Sequence, residues 1–123
     1  MNLEEEKMLT GYFVTLTSIA VDAKVLNQTS LFNEVIDLYN MALNYFGKNR
    51  TTPRDKAWIE SWSGSLTGEG LENTHDFQWK MRYALKQTPR DLEISLENSL
   101  KLFKNDPAYR TITYAILEKN GKI

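Results

Sequence analysis

The apolar positions of this chain recur three and four residues apart over most of its length, the spacing that gathers side chains onto one face of a helix. Leu9, Phe13, Leu16, Ala20 and Ala23 make the first such face. Asn2 followed by Glu4, Glu5 and Glu6 is a suitable start for it, because acids near a helix N-terminus complement the helix dipole. Val14-Thr15-Leu16-Thr17 alternates and is β-branched, a local argument for strand. The helical face continues on both sides, so helix is expected. Ser30 is expected to cap a second helix. Along it Leu31, Val35, Leu38, Ala42 and Tyr45 form one stripe, with Phe32, Ile36, Tyr39, Leu43 and Phe46 beside it. So broad an apolar face predicts a central, well-buried helix, stopped by Gly47 as a left-handed residue after its end.

All three prolines stand where a helix would begin. Thr52-Pro53-Arg54-Asp55 and Thr88-Pro89-Arg90-Asp91 share one pattern, and Asp106-Pro107-Ala108-Tyr109 follows the same logic. A Thr or Asp oxygen accepts from a free backbone N–H, and proline takes the first helical position, where its missing N–H costs nothing. The third helix, 53–62, is therefore short, and a glycine-containing loop over 63–73 is expected to follow it. Helix four is expected from Thr74 to Lys86, with Phe77, Met81, Ala84 and Leu85 inward. Helix five is expected from Pro89, with Leu92, Leu96, Leu100 and Phe103 inward. Helix six is expected from Pro107, with Ile112, Ala115 and Ile116 inward and Gly121 as its stop.

The two Thr-Pro-Arg-Asp boxes lie about one helical-repeat period apart. The residues after them do not align, however: Trp58-Ile59-Glu60-Ser61-Trp62 falls opposite Ile94-Ser95-Leu96-Glu97-Asn98. A shared cap preference accounts for the coincidence. The reading is an all-α fold, an irregular bundle of five to six helices forming a single domain over 1–123. From Thr88 through Ala115-Ile116-Leu117 to Asn120-Gly121-Lys122-Ile123 the layout loosely resembles tellurite-resistance TerB-type helical domains. That family carries an acidic Ala-Asp-Gly turn with a Glu downstream. The corresponding Ala20-Val21-Asp22-Ala23 lacks the Gly and the Glu, so no site residue follows from the resemblance.

Composition adds limits rather than a chemistry. A chain of 123 residues buries roughly two-thirds of its unfolded surface on folding, enough for one core. Net charge is −1, which supplies no global field toward nucleic acid or an acidic membrane. The charge is uneven: residues 1–47 carry −4, 48–90 carry +3, and 91–123 balance. Without cysteine, disulfides, thiolate nucleophiles and Cys-type metal sites are excluded. The acidic beginning does not resemble a signal peptide. The most apolar run, Tyr12 to Val21, falls short of the ~20 residues of a membrane span. A cytoplasmic location without membrane contact is expected.

Candidate chemistry is sparse. Glu72-Asn73-Thr74-His75 has the Glu-x-x-His spacing of di-iron bundles, but His75 is the single histidine, and such sites take two of these units. No metal or cofactor is expected. Gly64-Ser65-Leu66-Thr67-Gly68 has Leu where a nucleophile elbow has Ser. Acid–base work stays open only through the pairs Glu34/Asp37 and Glu93/Glu97, which serve solubility unless burial raises a pKa. The stretch 50–82 departs from bundle economy, holding Trp58, Trp62 and Trp79 with Arg50, Arg54 and Arg82. Trp58 and Trp62 share a helix face and serve as core or as a contact surface, since Trp and Arg dominate interface hot spots.

The expected function is therefore non-enzymatic: protein–protein binding of an inhibitor, immunity or adaptor type, through Trp58, Trp62, Trp79, Arg50, Arg54 and Arg82. The alternative is a nucleic-acid-binding regulator using Lys48, Arg50, Arg54, Lys56, Lys80, Arg82, Lys86 and Arg90 on phosphates. Interspersed acids and a pI near 5.8 argue against it. So does a presumed recognition helix that opens Arg90-Asp91-Leu92-Glu93. An enzyme working through the paired carboxylates comes third.

Overall fold

In a computed structural model, residues 2–48, 52–63 and 89–123 are described, and among them every regular element is a helix. These are α1 (Leu3–Val25), α2 (Thr29–Gly47), α3 (Pro53–Ser63), α4 (Pro89–Asn105) and α5 (Pro107–Lys119). The all-α expectation holds. The helix expected over 74–86 and the loop expected over 63–73 lie outside the described residues, apart from Ser63, which ends α3. Among the described residues, no helix is long and apolar enough to cross a membrane.

The caps behave as their chemistry requires. Asn2 Oδ1 accepts from the Glu5 N–H at 2.8 Å. Thr52 Oγ1 accepts from the Asp55 N–H at 3.2 Å, and Pro53 takes the first position of α3. Asp106 Oδ1 accepts from the N–H groups of Ala108 and Tyr109 at 2.9 and 3.1 Å. Each bond satisfies a donor that the helix itself leaves without an acceptor.

Two expected boundaries are corrected. Ser30 does not cap α2: the cap lies two residues earlier, at Gln28, with no side-chain cap bond. Gly47 is not a left-handed stop but the last helical residue, followed by Lys48 in right-handed geometry. A Cβ there would make only an ordinary van der Waals contact with Ile59 Cγ2 of α3, at 3.5 Å. Gly121 does take a positive φ of 67°. The other left-handed residue among those described is Asn27, φ 58°. There the Gln28 N–H donates to Ala23 O at 2.8 Å and the Asn27 N–H to Lys24 O at 3.2 Å. That pair of bonds is a Schellman motif, with Asn in the place glycine usually holds.

The central helix is α1, not α2. Leu9, Tyr12, Phe13, Leu16, Ile19, Ala20, Val21 and Ala23 are all buried, whereas α2 fully buries only Val35, Tyr39 and Ala42. α1 packs along both α2 and α4, and α3 and α5 complete the cover through their contacts with α2 and α4. Its hydroxyl residues are compatible with that position because they bond to their own helix. Thr15 Oγ1 donates to Gly11 O at 2.7 Å and Thr17 Oγ1 to Phe13 O at 2.8 Å, which also removes the case for a strand. The hydroxyl of Tyr109 lies so close to Gly11 that a Cβ there would force the Tyr109 side chain of α5 to move. Asp22 is fully buried in the same helix and accepts from Ser95 Oγ of α4 at 3.2 Å.

Adjacent residues Tyr12 and Phe13 of α1 point about 100° apart around the helix, their rings edge to face at 6.0 Å, and carry an aromatic seam through the molecule. Tyr12 meets Phe103 of α4 at 5.4 Å and Tyr109 of α5 at 5.7 Å between ring centroids. Phe13 meets Tyr39 and Phe46 of α2 at 5.2 and 6.4 Å, and Trp58 and Trp62 of α3 at 6.3 and 5.5 Å. Such pairs add about 0.5–1.5 kcal/mol each beyond the area they bury.

Candidate functional site

Three chain segments far apart in sequence meet at one end of the bundle: the first turn of α1, the last turns of α2 and the end of α5. Between them lies a cleft of about 870 Å³ lined by Glu5, Met41, Asn44, Tyr45, Phe46, Lys48, Lys119 and Asn120. That volume falls within the range of ligand-sized clefts. Its apolar surface comes from α2. Met41 and Phe46 are half-buried, and Tyr45 is 37% exposed, its ring at 5.0 Å from that of Phe46. The rim is polar, with exposed Lys48 just past α2 and exposed Lys119 and Asn120 at the end of α5. Both lysines stand at helix C-termini, where a cation offsets the negative end of the dipole.

α3 borders the same end. Its Arg54 donates from Nη2 to Glu6 Oε2 of α1 at 2.9 Å, one residue from the Glu5 that lines the cleft. The Arg54 side chain remains 71% exposed, so the pair contributes only about 0.2–1 kcal/mol. Trp58 and Trp62 are half-buried rather than displayed. The Trp62 ring stacks on Phe13 at an interplanar angle of 25°, Trp58 lies edge-on to it at 6.0 Å, and the Trp62 carbonyl accepts from Tyr39 Oη at 2.8 Å. Trp62 Nε1 is buried and finds no acceptor among the described residues. Phe13 thus connects the tryptophans to Phe46 in the cleft. Arg50, Trp79 and Arg82 lie outside the described residues, so the expected surface is brought together here only through Trp58, Trp62 and Arg54.

The other candidate groups take ordinary surroundings. Among the basic residues of 48–90, Arg54 is paired with Glu6, and Arg90 lies between Glu93 at 3.4 Å and Glu97 at 3.9 Å. Glu93 and Glu97 therefore share a cation, and Glu34 and Asp37 stand exposed on α2. Glu72 and His75 lie outside the described residues, and no group of three His, Asp or Glu suited to a metal ion occurs within them. Burial raises the Tyr12 phenol from its ordinary 10.0 to about 12, although a hydrogen bond with Thr113 Oγ1 at 2.9 Å works in the other direction. That ring is packed within the seam and is not among the described residues that line the cleft. The cleft residues themselves were not legible as a group. Tyr45 belongs to the apolar stripe of α2, and nothing local in the sequence joins Glu5 to Lys48 and Lys119.

The chain was compared with protein-family models, with curated proteins and with solved structures, and none of them matches it.

Proposed function

We propose that this chain is a non-enzymatic protein-binding module of the inhibitor, immunity or adaptor type, docking a partner at the end of the bundle where the cleft and α3 adjoin. The observation that carries this reading is the cleft itself: apolar Met41, Tyr45 and Phe46 edged by charged and amide side chains. An apolar centre within a polar rim is the anatomy of a protein interface, and Tyr and Arg are the residue types that anchor one. Exposed Arg54 stands beside it, while Trp58 and Trp62 back the surface with large rings that lose little entropy on being covered. Rigid backing favours docking without refolding, which lowers the ordering cost of association.

The test is affinity capture from host lysate with and without nuclease, using the wild-type protein and Tyr45→Arg. Tyr45 is already partly exposed, so the variant should keep its helicity by circular dichroism. A stoichiometric protein that survives nuclease and is lost with Tyr45→Arg supports the reading. Material that disappears with nuclease, or a protein retained equally by the variant, overturns it.

A further inference from the structure

The charge on the cleft specifies more than a generic docking surface. Of its lining side chains two are cations, Lys48 and Lys119, and one is an anion, Glu5, leaving a net positive charge among the described residues. Neither lysine has an ion-pair or hydrogen-bond partner for its ammonium among the described side chains, in contrast to Arg54 and Arg90, which both reach carboxylates. The lysines come from different helices, α2 and α5, and stand on the walls of a cleft whose apolar surface is Met41, Tyr45 and Phe46. This cation excess contrasts with the −4 carried by residues 1–47, which supply most of the cleft lining. The dipoles of α2 and α5 account for one lysine at each helix end, but not for both facing one apolar surface.

Building on the docking reading, we infer that the cleft takes an acidic segment of a partner protein, with an apolar side chain against Tyr45, Met41 and Phe46 and carboxylates against Lys48 and Lys119. Charge complementarity of this kind sets partner choice and association rate more than raw affinity. Binding is therefore expected to weaken as salt is raised, because exposed charges are screened over about 8–10 Å at physiological ionic strength.

Selection from a random displayed-peptide library on immobilised full-length protein provides the test. Three proteins are compared: wild type, Lys48→Glu/Lys119→Glu and Tyr45→Arg, each verified by circular dichroism, with Lys48→Gln/Lys119→Gln in reserve should charge reversal unfold the chain. The wild type is expected to enrich Asp and Glu around one apolar position. The reversed protein should bind those peptides at least about tenfold more weakly and enrich Lys and Arg instead. If wild type enriches apolar peptides without acidic excess, equally bound by the reversed protein but lost on Tyr45→Arg, the acidic assignment fails and the docking site stands. If no peptide depends on Tyr45, both fail.

Discussion

At Trp62 a single indole separates two roles for α3. The ring stacks on Phe13 with centroids 5.5 Å apart, and its N–H is buried without an acceptor among the described residues. Stacking makes the side chain part of the packing that holds α3 to α1; an orphan donor makes it an imperfect part. Removing a buried donor relieves about 1–3 kcal/mol of desolvation, while truncating a large packed ring costs about 3–5 kcal/mol. Trp62→Phe keeps a ring against Phe13 and deletes the orphan N–H, so its stability is expected within about 1 kcal/mol of wild type. Trp62→Ala deletes the ring and is expected to lose about 3 kcal/mol or more. Urea denaturation of both variants decides the matter. An unchanged midpoint for Trp62→Ala would return this tryptophan to the surface-anchor role that its residue type and neighbouring arginines suggest.

Among the elements, the helix starts show how local signals translate into structure. Asp106 illustrates the point: its carboxylate accepts from two N–H groups and Pro107 fixes the following turn, all chemistry contained within four residues. Asp106→Ala is expected to cost about 1 kcal/mol, with faster amide exchange at Ala108 and Tyr109 and little change in α1. Unchanged exchange there would mean that packing, not the cap, holds α5. Signals of this range were readable, and so were the inward faces Leu92 and Leu96 of α4 and Ile116 of α5. The identity of the central helix was not. Width of the apolar stripe favoured α2, yet α1 buries five consecutive residues, Ile19 to Ala23, including Asp22. A helix packed over most of its surface, with Val14 and Lys24 exposed between buried turns, has no broad polar face to reveal it, and Thr15 and Thr17 look like surface residues until their hydroxyls turn back onto Gly11 and Phe13. Gly47 misled as well. It continues the right-handed helix into Lys48 instead of ending it in a left-handed turn.

For the whole molecule, what had to be assembled across distance was the cleft, built from residue 5, residues 41–48 and residues 119–120; no spacing rule links such positions. The aromatic seam is assembled the same way, and Tyr12 stands at its centre with its ring fully buried and its hydroxyl against Thr113. This position makes global stability depend on alkaline pH. In the unfolded chain Tyr12 releases its proton near 10.0; in the folded chain burial holds it to about 12. Between those values the unfolded state binds fewer protons than the folded state, so stability falls as pH rises. The contribution is intact below about pH 10 and lost progressively toward pH 12, a total of about 3 kcal/mol. Tyr12→Phe keeps the ring contacts with Phe103 and Tyr109 but has no proton to lose. It forfeits one hydrogen bond, about 0.5–1.5 kcal/mol at neutral pH, and its stability should decline less steeply between pH 10 and 12. Denaturant midpoints of the two proteins across that interval, with the ultraviolet titration of the phenols in parallel, give the comparison. Equal slopes would place Tyr12 in contact with water and would break the account of the seam as a continuous packed core joining α3 to α5 through α1.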